Sequence, residues 1–200
     1  MNRREALKRT SLILGYTVSA PVVAAFLDGC KARPELNYKP VFFTEDEARM
    51  VAEITEIILP RTDTPGAKDV GVPGFIDALI AEVYQPQEQE KFRKGLAEVN
   101  AEASKAHGDE FLDCTPEQQT ELIKTLNNKA LEGSVKGAAQ GWWNAGTGQE
   151  RPFILSIKEF TLLGFFTSEP GATQVLQYKQ VPGPFKGCVP LAEVGKAWAT

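Results

Sequence analysis

The stretch TEDEARMVAEITEIIL, residues 44–59, decides the fold. Its first four residues form a capping box: the Thr44 hydroxyl can accept from the amide of Glu47, while Glu47 reaches back to the amide of Thr44. Three acidic residues in that first turn suit the positive end of a helix dipole. Val51, Ile54 and Ile58 then line one face, with Ala48 above them. Pro60 lacks an amide proton and restricts its predecessor, so the helix stops near Leu59.

The same grammar recurs outward from this helix. Residues 61–71 (RTDTPGAKDVG) have the Gly, Pro and Asp density of a turn-rich loop. Val72, Phe75, Ile76, Leu79, Ile80 and Val83 fall at helical spacing and predict a second helix over 73–84. A third, over 87–106, carries Phe92, Leu96, Val99 and Ala103 as a narrow stripe among charges and belongs on the surface. Thr115-Pro116-Glu117-Gln118 is a second capping box with proline at the first helical position; Leu122, Ile123, Leu126 and Ala130 follow, and Gly133 supplies a stop. Residues 137–148 (GAAQGWWNAGTG) read as a glycine-rich loop. Phe153, Ile154, Ile157, Phe160, Thr161 and Phe165 make the most apolar helix, over 152–166, and place it at the centre of the core. No segment alternates with period two between hairpin turns, and no internal repeat is present. The reading is all-α: one helical domain of about five helices with long loops and, from Ser168, an irregular C-terminal wrap.

The N-terminus is an address. Four basic residues precede a diluted apolar run, residues 11–27, broken by Gly15 and Pro21, which is the architecture of a cleaved signal over residues 1–29. Arg3-Arg4, followed by Leu7-Lys8, resembles the twin-arginine export signal. Leu27-Asp28-Gly29-Cys30 looks like a lipobox, with Asp28 untypical, and points to lipid on Cys30 that would anchor the chain to a membrane. Residues 30–40 (CKARPELNYKP), with two prolines, read as a tether, and the folded domain as residues 41–200. The location expected from these signals is periplasmic. Removing the four basic and two acidic residues of 1–29 from totals of 22 and 26 leaves the remainder at net −6. That balance opposes nucleic-acid binding, which needs clustered basic side chains.

Little chemistry can be assembled. His107, the only histidine, sits at a helix end where a positive side chain suits the dipole. A hydrolase reading through His107 with Ser104 or Asp109 lacks an accompanying GxSxG elbow or oxyanion arrangement. With one histidine only carboxylates remain as metal ligands, and Asp109, Glu110, Asp113, Asp63 and Asp69 do not form an alternating calcium loop. No GxGxxG or GxxxxGK[ST] cradles a phosphate. The expectation is no catalytic, metal or cofactor-binding residue in this chain. Trp142, Trp143 and Trp198 could stack on sugar rings, giving the alternative of an independent carbohydrate-binding lipoprotein, or Trp142 and Trp143 could anchor a protein interface. Cys114 and Cys188 permit one internal bridge, a buried thiol, or a bridge to another subunit.

Two blocks then carry a family resemblance: residues 57–67 (IILPRTDTPGA) with 71–77 (GVPGFID), supported by 158–169 (KEFTLLGFFTSE) and 181–188 (VPGPFKGC). The chain resembles the gluconate 2-dehydrogenase subunit 3 family. The resemblance implies a non-catalytic accessory subunit of an FAD-dependent dehydrogenase of the glucose-methanol-choline (GMC) type acting on sugars, sugar acids or glycosides. FAD would sit in a separate flavoprotein chain, a c-type cytochrome or another carrier would take electrons, and the small subunit would stabilise the flavoprotein and assist its export. It further implies a rigid turn at Pro65-Gly66, core positions for Phe75 and Ile76, and packing by Phe165-Phe166. Cys188 becomes the disulfide candidate, paired with Cys114 or with a flavoprotein cysteine. Pro65, Gly66, Trp142, Trp143 and Phe185 are the interface candidates. A lipobox at Cys30 departs from the general pattern of the family.

Overall fold

The computed structural model describes residues 35–135, 151–181, 183–184 and 187–199. Five long helices form the body: α1 (Glu45–Ile58), α2 (Val72–Val83), α3 (Pro86–His107), α4 (Pro116–Val135) and α5 (Phe153–Thr167). A 3-10 turn (Phe111–Asp113) joins α3 to α4, a π turn (Gly171–Val175) follows α5, and a short α6 (Leu191–Val194) lies near the end. The fold is all-α, and the described residues hold no β-strand.

Both predicted capping boxes form. The Thr44 amide donates to Glu47 Oε2 at 2.9 Å and the Glu47 amide to Thr44 Oγ1 at 3.3 Å; the Thr115 amide donates to Gln118 Oε1 at 2.8 Å. These satisfy amides that the first turn leaves without intrahelical partners. The left-handed glycines Gly71 (φ 77°) and Gly108 (φ 85°) mark the start of α2 and the end of α3, positions where a Cβ would be strained. Gly133 does not stop α4, which continues to Val135. A stop by glycine requires the left-handed conformation, and without it glycine in a helix costs only about 1 kcal/mol.

α5 is central, touching each of α1 to α4. Ile54 and Thr55 of α1, Ile76 and Ile80 of α2, Leu96 of α3, Phe111, and Ile157 and Thr161 of α5 are almost fully buried, each large apolar chain stabilising the body by roughly 1.5–3 kcal/mol. The two buried threonines meet their own helices, Thr55 Oγ1 donating to the Ala52 carbonyl and Thr161 Oγ1 to that of Ile157. Close approach is built with glycine: a Cβ on Gly95 of α3 would lie 2.3 Å from the Phe153 ring, and one on Gly164 of α5 would lie 2.6 Å from the Phe75 ring. Phe43, Phe92, Phe153, Phe160 and Tyr84 form a chain of ring contacts with centroids 4.9–6.2 Å apart, running from the start of the body to the end of α2.

Two core expectations need correction. Phe75 is 38% exposed and Phe166 36%, whereas Ile76 and Phe165 are buried. The reason is Asp77. This carboxylate turns inward, so α2 buries Val72, Pro73, Ile76, Asp77 and Ile80, and the arc carrying Phe75 rotates toward the surface, while Val83 is exposed at the helix end. The C-terminal segment also differs from a simple wrap, because it closes on itself at Gln177. The Gln177 amide donates to the Ala197 carbonyl at 2.9 Å, and the Gln177 carbonyl accepts from the Ala199 amide at 3.0 Å. Its side-chain amide donates to the carbonyls of Val194 and Lys196, both at 2.7 Å.

Candidate functional site

Residues 61–71 form an ordered loop because two carboxylates organise it. Glu56, in the last turn of α1, accepts from the amides of Arg61 (2.9 Å) and Lys68 (3.0 Å). Asp69 accepts from the Gly66 amide at 2.9 Å and lies 3.4 Å from Arg61. Between them Ala67 is fully buried, its amide donating to the Leu59 carbonyl. Gly66 is buried against Glu56; a Cβ there would lie 2.3 Å from Oε1 and 2.7 Å from the Arg61 nitrogen. Arg61, Thr62 and Asp63 are left exposed at the tip, with Pro65 half-buried behind them. Lys68 Nζ also pairs with Glu53 at 2.6 Å on a partly buried flank of α1.

Asp77 organises the entrance to the body. It is 1% exposed and accepts three consecutive amides: Val41 at 2.6 Å, Phe42 at 3.1 Å and Phe43 at 2.9 Å. Charge-assisted bonds of this kind are stronger than neutral ones and compensate the burial of the carboxylate. The segment preceding them is laid across the body, exposed residues Glu35, Asn37, Lys39 and Val41 alternating with half-buried Leu36, Tyr38, Pro40 and Phe42. Leu36, Tyr38 and Phe42 pack on the core. The Tyr38 ring covers Gly74, where a Cβ would approach to 3.4 Å, and Arg93 clamps Phe42 by stacking 4.4 Å from its ring and donating to its carbonyl at 2.7 Å. Residues 35–40, read from composition as tether, therefore belong to the folded body.

The Tyr38 hydroxyl is buried with no protein hydrogen-bond partner. Burial first, and the neighbouring Asp77 charge second, push its ionisation well above the usual tyrosine value. Tyr38→Phe should therefore stabilise the protein by about 1 kcal/mol, since a buried unsatisfied hydroxyl is a net cost. The pH effect has a definite sign. The unfolded chain loses the tyrosine proton near pH 10 while the folded one holds it, so stability is intact below about pH 10 and falls as pH rises beyond it. Urea midpoints at pH 9 and 11 should show a steeper alkaline loss in the wild type than in Tyr38→Phe; equal slopes would contradict the assignment.

The remaining candidates scatter. His107 is in the last turn of α3, half-buried, with Ser104 and Asp109 exposed. Among the described residues no group of three or more His, Cys, Asp and Glu could hold a metal, and no helix is long and apolar enough to cross a membrane. Cys114 is buried, its sulfur 3.9 Å from the Asp109 carbonyl oxygen, while Cys188 is exposed and the two are not bonded to each other. Arg3, Arg4, Cys30, Trp142, Trp143 and Phe185 lie outside the described residues. The surface offers large apolar side chains instead: Phe75, Leu163 (50% exposed) and Phe166 along α2 and α5, and Tyr178, Val181, Val189 and Trp198 in the C-terminal segment. Such side chains suit a protein contact.

Asp77 and Glu56 were missed from the sequence. A signal existed for Asp77, a lone carboxylate inside the apolar run VPGFIDALI; Glu56 carried none, being one of several glutamates on α1. No curated protein and no solved structure matches the chain. The family model for gluconate 2-dehydrogenase subunit 3 matches residues 45–183, which include both carboxylates, the loop they organise and all five long helices, and the chain belongs to that family.

Proposed function

We propose that this chain is the non-catalytic small subunit of a periplasmic, FAD-dependent dehydrogenase of the GMC type that oxidises a sugar, gluconate or glycoside. In this reading the flavoprotein is a separate chain holding FAD, and a c-type cytochrome takes the electrons. The small subunit stabilises the flavoprotein, lends it the twin-arginine address at Arg3-Arg4, and anchors the complex through lipid on Cys30. The observation that carries the reading is the family match over 45–183. It is supported by the division of labour within the matched region. Glu56, Gly66, Asp69, Gly74 and Asp77 are engaged in holding the chain's own backbone and packing, while Phe75, Leu163 and Phe166 remain on the surface for a partner. Exposed Cys188 is the cysteine open to a disulfide with the flavoprotein.

The test is co-expression with a candidate large GMC-type flavoprotein. Affinity capture of this chain should bring down a yellow partner with dehydrogenase activity, and Arg3-Arg4→Lys-Lys should strand both proteins in the cytoplasm. Export of the flavoprotein while this chain is retained would disprove the shared address, and failure to capture any flavoprotein would disprove the subunit role.

A further inference from the structure

We infer that the strap formed by residues 35–43 is the membrane-facing side of the body, held there by Asp77 so that its outward row of Glu35, Asn37, Lys39 and Val41 lies against the phospholipid bilayer carrying the lipid of Cys30. The inference rests on the anchor reading above and adds an orientation to it. It follows from where the packed body begins. Leu36 already packs on the core, and it lies six positions after Cys30. Six residues span at most about 20 Å when fully extended, less than the length of α3 at about 1.5 Å per residue. A flexible tether up to residue 40 would let the body tumble. A strap pinned by three amides on a buried carboxylate, by Tyr38 on Gly74 and by Arg93 on Phe42 instead makes one fixed face of the body the part closest in sequence to Cys30. Of the residues it lays on the surface, the outward row carries one acidic and one basic side chain, Glu35 and Lys39, with 78%-exposed Val41 beside Asp77. That row is close to neutral and compatible with a headgroup layer despite the acidic balance of the chain.

The experiment uses the full acylated chain in vesicles of phosphatidylethanolamine and phosphatidylglycerol doped with a headgroup spin-labelled lipid. Cys188→Ser removes the exposed thiol, Cys114 being buried, and one fluorophore is placed at Lys39→Cys or at Lys105→Cys. Lys105 lies twelve residues along α3 from Arg93, about 18 Å away. Contact quenching should be severalfold stronger at 39 than at 105. Inserting twenty Gly/Ser residues between Pro34 and Glu35 adds about 25 Å of root-mean-square reach without touching the body, and should lower quenching at 39 to the level at 105. Asp77→Asn, which loosens the strap, should shift it the same way, but the insertion decides the matter where that variant folds poorly. Equal quenching at the two sites, or no response to the insertion, overturns the orientation. Acyl mass on Cys30 is measured in the same samples: its absence defeats the anchor reading itself, whereas its presence with equal quenching defeats only the strap's placement.

Discussion

Asp77→Ala is expected to lower the stability of the body by about 3 kcal/mol, the net of losing three charge-assisted hydrogen bonds and of no longer burying a carboxylate. The Phe43 amide is buried and cannot turn to water, whereas those of Val41 and Phe42 are only partly buried and recover some hydration. Against a total of about 5–15 kcal/mol for a domain of this kind, that loss would shift a urea midpoint by roughly 1.5 M. Asp77→Asn should fall between. Its amide oxygen can still serve Phe42 and Phe43, which share one carboxylate oxygen, but its NH2 group would face the Val41 amide donor to donor. Hydrogen exchange at residues 41–43 should accelerate in both variants ahead of global unfolding. A midpoint for Asp77→Ala within error of the wild type would remove the central role assigned here to this carboxylate.

Gly95→Ala should destabilise by about 2 kcal/mol, even though alanine is favoured over glycine in a helix by about 1 kcal/mol. The contest is decided by position. The added Cβ would meet the Phe153 ring at 2.3 Å and the Phe153 Cβ at 2.6 Å. A ring can turn away, but a Cβ moves only with its helix, so α3 and α5 must separate, at the cost typical of an overpacked core. The same substitution in a Phe153→Ala background should cost less, because only the Cβ contact remains, and the double-mutant cycle should show that coupling. Gly95→Ala stabilising by the full propensity gain would mean that the two helices are free to move apart.

How much of this was legible beforehand differs by element. Helices were read to within a residue or two where a local device marks them, as at Thr44-Glu47, at Thr115-Gln118 and at Pro60, because capping and proline act through neighbours in sequence. The stripe Phe92, Leu96, Val99 and Ala103 was found and is buried as expected. Rotation was less legible than extent. On α2 the apolar period pointed Phe75 inward, but three amides thirty-four to thirty-six residues earlier recruit Asp77 and set the face instead. Periodicity counts side chains and is blind to a backbone's need for an acceptor. The strap was missed for a related reason. Leu36, Tyr38, Pro40 and Phe42 do alternate, but the row is short and interleaved with polar residues, and its inward direction is defined only by the helices beneath it. The family was legible in IILPRTDTPGA and GVPGFID, and the structure gives those residues a physical purpose: Gly66, Ala67 and Asp69 close the loop after α1, Gly71 starts α2 in the left-handed conformation, and Gly74 and Asp77 receive the strap.

Gln177, finally, determines where this chain can change length. Its main chain and side chain hold the backbone of residues 194–199, so the two ends of the intervening segment are fixed beside each other whatever lies between. Once ends are fixed in this way, doubling the number of residues in between costs only about 0.6 kcal/mol. The segment around Cys188 is thus a slot in which residues can be added, removed or exchanged with little effect on the five helices, leaving its contents free to be fitted to whatever surface it meets.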